Sequence, residues 1–137
     1  ECTTAFMELL KDRKYSALLL KISDDLTSVV VDKTIPPATG PPEAAYKAFM
    51  DELPEADCRF AIYDFEYVTQ DVTKNRVIMI LWSPDGSKIK SKMKYASSKQ
   101  AVLNTLEGIQ TQIQGSDYDE ISYKAVYDNL VKLSVKY

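Results

Sequence analysis

Two apolar runs constrain this chain most: Cys58-Arg59-Phe60-Ala61-Ile62-Tyr63-Asp64-Phe65-Glu66-Tyr67 and Val77-Ile78-Met79-Ile80-Leu81-Trp82. A strand with one wet face alternates polar and apolar residues. These runs alternate too little, and their aromatic and β-branched content reads as central strands covered on both faces. The cover has to come from helices. Apolar positions Ala5, Phe6, Leu9 and Leu10 fall at helical spacing over 1–11. Residues 15–22 and 26–32 are β-rich and flank Ser23-Asp24-Asp25, a hairpin signature. Segment 35–42 holds four of the six prolines and is a surface loop. Pro42-Glu43 open a second helix that Pro54 stops. After Ser83-Pro84-Asp85 a long helical pattern runs to Leu106, with Gly108 as its stop. Ile89, Met93 and Ala96 share one face of it and Val102, Leu103 and Leu106 another, which calls for a bend near Ser97-Ser98. A short strand over 109–114 and a helix over 119–133, with Ile121, Ala125 and Tyr127 or Val131 inward, complete the order. The class is α/β (α+β): a mixed sheet flanked by helices, in one domain over 1–137.

Charge is distributed unevenly. The chain carries a formal −3, yet between Lys74 and Lys99 seven basic residues face one acid, Asp85, for a local +6. A basic face on an acidic body steers an acidic partner into one orientation. Histidine is absent, which removes the usual general base, the Ser-His and Cys-His constellations and most zinc sites, and leaves no ordinary side-chain charge switch near neutral pH. Cys2 and Cys58 could form a disulfide, but two cysteines at this length read more readily as reduced core thiols of an intracellular protein. No apolar run approaches the roughly 18 residues of a membrane span. No signal-peptide pattern opens the chain, and its start at Glu1 rather than Met leads us to expect that the natural N-terminus is missing.

The element order, together with Leu53-Pro54-Glu55-Ala56-Asp57-Cys58-Arg59-Phe60-Ala61-Ile62-Tyr63-Asp64-Phe65-Glu66-Tyr67, Trp82-Ser83-Pro84-Asp85, Lys90-Ser91-Lys92-Met93-Lys94-Tyr95-Ala96-Ser97-Ser98-Lys99, Glu107-Gly108-Ile109-Gln110 and Gln114-Gly115-Ser116-Asp117, resembles the actin-depolymerising factor and cofilin family over nearly the whole chain. The resemblance implies a five-stranded cofilin-like, gelsolin-like fold. It also implies a cytoplasmic protein, capable of nuclear shuttling, that binds monomeric and filamentous ADP-actin, severs or depolymerises filaments, and is not an enzyme. No cofactor or metal is implied; the chain is expected to be a monomer, with phosphoinositides as a further ligand. The matching positions for monomer and filament contact are Lys90, Lys92, Met93, Ser98 and Lys99, and for filament-specific contact Lys74, Arg76, Asp128 and Lys132. Leu103, Asn104 and Asn129 stand where family members often carry basic residues. These departures motivate the alternative of a monomer-sequestering or phosphoinositide-binding module with little severing. The family's N-terminal segment, with its phosphorylatable serine, is expected to be absent here.

Each of these residues also has an ordinary structural reading. A lysine run is usually a solvated helix face, and Met93 fits the core as well as an adaptable contact. Trp82 ends an apolar run and belongs in the core. Phe60, Tyr63, Phe65 and Tyr67 do not make a base-stacking sheet, because Asp64 and Glu66 beside them repel phosphate; no nucleic-acid partner is expected. Asp64 with Glu66 has no base, nucleophile or metal cluster that would make it a catalytic pair. Lys74 and Arg76 would share a strand face and can simply protect an edge. Asp128 and Lys132 are spaced to pair with each other.

Overall fold

The computed structural model describes residues 2–10, 15–23, 28–36, 41–69, 71–106, 108–109 and 111–135, with the side chains of 2–4, 10, 69 and 132–135 excepted. Its elements are α1 (Cys2–Leu10), β1 (Ala17–Ile22), β2 (Val29–Ile35), α2 (Pro42–Met50), β3 (Arg59–Thr69), β4 (Val72–Trp82), α3 (Ile89–Thr105), β5 (Thr111–Gly115) and α4 (Tyr123–Val135). The five strands form one sheet in the order β2-β1-β3-β4-β5. All neighbours are antiparallel except β4 and β5, so the sheet is mixed, as expected.

Both faces of the central strands are buried, which is why their sequences fail to alternate. Cys58, Phe60 and Ile62 face a core shared with Phe6 and Leu9 of α1 and Tyr95 and Val102 of α3. Ala61, Tyr63, Phe65 and Tyr67 face a second core with Tyr46 and Phe49 of α2 and Val126 and Leu130 of α4. Trp82 lies in this second core, its indole N–H donating to the Pro54 carbonyl at 2.6 Å. Cys58 is a buried free thiol; the Cys2 side chain lies outside the described residues.

Several boundaries differ from the sequence reading. The second hairpin strand begins at Val29 and reaches Ile35, three residues later than expected, because the Ser23 amide closes onto the Ser28 carbonyl at 2.7 Å. Residues 24–27 and 37–40, which include the Asp24-Asp25 turn and half of the proline-rich segment, lie outside the described residues. In α3, Ile89, Met93 and Ala96 are exposed, and the inward stripe is Tyr95, Val102 and Leu106. Seven- and eleven-residue separations return to within about 20° of one line, so a single stripe serves the whole helix and no bend is needed to explain it. α4 starts at Tyr123, four residues later than expected, and buries Val126 and Leu130 more deeply than Ala125. The preceding turn is held by the Glu120 amide donating to Asp117 Oδ1 at 2.9 Å.

The buried phenols set an alkaline limit on the fold. Burial, reinforced by Asp64, Tyr123 and Glu66, pushes Tyr63 up from 10.0 to about 12. Burial and Tyr63 push Tyr46 further in the same direction. The folded chain therefore holds these protons more tightly than the unfolded chain. Their contribution is complete below about pH 10 and is lost as pH climbs through the Tyr63 value. Urea melts at pH 8, 10 and 11.5 should show stability falling steeply only in the last interval; a flat profile would contradict the burial of these phenols.

Candidate docking surfaces

α3 lies across the sheet with its buried stripe inward and a mostly polar face outward. At roughly 100° per residue, the line opposite the stripe carries Met93, Ser97 and Asn104, with Ile89, Lys90 and Gln100 beside them. All six are exposed, Ile89 by 74% and Met93 by 68%. Ile89 and Met93 stand one turn apart and form an apolar ridge in water. Lys90 lies on the outer face beside it. Lys92 and Lys99 are half-buried on one flank, whereas Ser98 is half-buried on the other. The five residues expected in the first surface thus share one helix but not one face.

The start of α3 is electrostatically one-sided. Its N-cap is Lys88, extended at φ −68° and ψ 145°; no side chain caps it, and its first turn contains no acid. Lys88, Lys90 and Lys92 therefore add to the positive end of the helix dipole instead of offsetting it. Among the described residues, none of Lys88, Lys90, Lys92, Lys94 and Lys99 forms an ion pair. Lys92 reaches back toward the Asp85 carbonyl at 3.5 Å and lines a small polar cleft of about 400 Å³ with Gln114, Ser116 and Glu120. The Ser116 amide, and then its hydroxyl, hold the Glu120 carboxyl below the usual carboxylate range.

The second expected surface lies on the other side of the sheet. β1 accompanies β3 only to Tyr63, and β5 joins β4 only from Ile78, so beyond these points β3 and β4 project as a two-stranded ribbon. Arg76 pairs with Phe65 and Lys74 with Tyr67. Directly opposed residues share a face, and Phe65 and Tyr67 belong to the core under α2 and α4, so both cations lie on the α4 side. α4 braces the ribbon: the Tyr123 and Tyr127 hydroxyls donate to the Glu66 and Val68 carbonyls, each at 3.0 Å. Tyr123 also stacks on Phe65 at 4.8 Å. Lys74 is exposed and Arg76 half-buried, and neither forms an ion pair among the described residues. Asp128 is exposed on α4, at the rim of an open groove of about 900 Å³ between α2 and α4. The backbone of Lys132 lies in α4, but its side chain is outside the described residues, so its expected pairing with Asp128 is not described.

Sequence reasoning grouped Ile89 with Met93 and Ala96 on one face of the helix but did not single it out as a contact residue. The available signal was the line through 95, 102 and 106: once that stripe is inward, 89 and 93 must point out. Among the described residues no group of three or more His, Cys, Asp or Glu could hold a metal, and no helix is long and apolar enough to cross a membrane.

Comparison with known proteins agrees with this architecture. The family model for cofilin/tropomyosin-type actin-binding proteins matches residues 1–131. The chain is 42% identical over 132 residues to a cofilin of Ogataea parapolymorpha, covering 95% of this chain and 88% of that one. It is 44% identical over 129 residues to actin-depolymerizing factor 3 of Zea mays, covering 93% and 89%. Among solved structures, the cofilin described as from Streptomyces griseoflavus superposes with a TM-score of 0.82 at 32% identity, covering 93% of this chain and 90% of that one.

Proposed function

We propose, because this chain belongs to the cofilin/tropomyosin-type family of actin-binding proteins, that α3 is the surface by which it docks on actin, in monomers and filaments alike. The protein binds actin and promotes the disassembly of filaments in the cytoplasmic actin cytoskeleton; it is not an enzyme. The observation that carries the docking role is the exposed Ile89–Met93 ridge, set among lysines without ion-pair partners in the described structure. Apolar side chains supply affinity when covered, and the surrounding positive charge guides an acidic partner onto them. Lys90, Lys92 and Met93 make the central contacts in this reading, with Ser98 and Lys99 at its margins. Lys74 and Arg76 on the projecting ribbon, with Asp128 and Lys132 on α4, form a second surface that engages a filament. Residues 1–137 act as one domain and as a monomer, and the α3 lysines also meet phosphoinositide headgroups, in competition with actin.

Co-sedimentation with ADP-actin filaments tests this arrangement. The wild-type chain should pellet with filaments and raise soluble actin. Lys90→Ala with Lys92→Ala should weaken binding about tenfold, and Lys74→Ala with Arg76→Ala should abolish pelleting while monomer binding persists. Wild-type affinity in the first double variant would rule out the α3 surface.

A further inference from the structure

We propose that Tyr95 is a positioning residue for actin binding: its hydroxyl, buried beneath α3, fixes where the helix presents Ile89, Lys90 and Met93. Within its span α3 buries only Tyr95 and Val102. Val102 and the C-cap Leu106 hold the far end by apolar contact, which is non-directional and lets a helix rock or slide. The near end, which carries the ridge, has no side-chain cap. Tyr95 is the first buried residue met from that end, two positions after Met93.

Its anchor is directional. The Ile22 amide, at the last position of β1, donates to the Tyr95 hydroxyl at 2.9 Å across 73 residues of sequence. The ring packs on Phe60 of the central strand at 5.1 Å. The Arg59 guanidinium also acts on this hydroxyl and is itself held, its Nε donating to Asp32 at 3.0 Å and its Nη1 to the Cys58 carbonyl at 2.7 Å. The middle of the docking helix is thus tied through one phenol to both the end of β1 and the beginning of β3. Tyr95 is buried and reaches no partner, so its effect on binding runs through the residues it places.

This inference rests on the docking role of α3, and a double-mutant cycle separates the two. Monomer Kd values for ADP-actin are measured for wild type, Tyr95→Phe, Met93→Ala and the double variant, at a temperature well below every melting transition. Tyr95→Phe keeps the ring and deletes the hydroxyl, and should weaken Kd by up to about fivefold, the limit set by one net hydrogen bond, because only the share of the bond's energy spent on placing the ridge appears in Kd. In the Met93→Ala background the same change should cost much less, because the ridge it places is already truncated. Phe6→Leu on α1 softens the same core away from the Tyr95 ring, and should lower the melting temperature while leaving Kd near wild type. An unchanged Kd in Tyr95→Phe, an additive cycle, or an equal loss in Phe6→Leu would each overturn the positioning role. An unchanged Kd in Met93→Ala would instead overturn the docking role on which it stands. Should Tyr95→Phe fail to fold, an ester in place of the Ile22 amide deletes the donor, leaves Tyr95 intact, and should shift Kd in the same direction.

Discussion

Met93→Glu should weaken ADP-actin binding about a hundredfold while leaving the free protein folded and of near wild-type stability. The side chain is 68% exposed and makes no core contact. Glutamate is as good a helix former as methionine, so the free helix barely registers the change. In the proposed complex the same position is covered. An unpaired carboxylate there costs about 3 kcal/mol or more, which corresponds to about two orders of magnitude in Kd. The new charge also opposes the positive field of α3, which slows encounter. The measurement is a fluorescence titration of labelled monomer, with a thermal melt of each variant beside it. A variant that melts normally and binds normally would show that the ridge is not the contact.

Gly115→Val should destabilise the fold by about 3 kcal/mol or more, lowering the melting temperature by about 10 °C. Gly115 ends β5, pairs with Trp82 and accepts the Ser83 amide through its carbonyl at 3.0 Å. A Cβ built at this position overlaps Ile121 Cγ2. Ile121 cannot retreat: it is fully buried, and its carbonyl accepts the Tyr46 hydroxyl at 2.5 Å. Relief of the clash must therefore move either the β4–β5 pairing or the turn that starts α4. Ile121→Ala in the same chain should recover part of the loss. Thermal denaturation reads both effects, and a Gly115→Val melt within about 2 °C of wild type would be incompatible with this packing.

How far the sequence revealed this molecule depended on whether local pattern and tertiary position coincide. β3 and the second half of β4 were legible because burial on both faces forces long apolar runs. The ribbon half of β4 was not, since Val72, Thr73, Lys74 and Asn75 are all exposed and carry no burial pattern. α3 was found, but its orientation was misjudged. Ile89 and Met93 are apolar residues exposed to water, and a periodicity argument alone does not tell an exposed apolar line from the one that faces the core. The polar anchor at Tyr95 was invisible for the opposite reason: its partner is a backbone amide 73 residues away. The α3 lysines were conspicuous as charge, but only the folded geometry separates Lys90 on the outer face from Lys92 and Lys99 on the flank.

The uncapped, acid-free start of α3 has a consequence for how such a chain can change over generations. Aspartate or serine at position 88 would cap the helix and add about 1 kcal/mol of stability. It would also remove a cation from beside the proposed docking ridge. A lineage selected for robustness alone would drift toward that substitution, and one selected for binding would resist it. At position 88 helix stability and the positive field beside the ridge thus pull in opposite directions, and the lysine there serves the field rather than the cap.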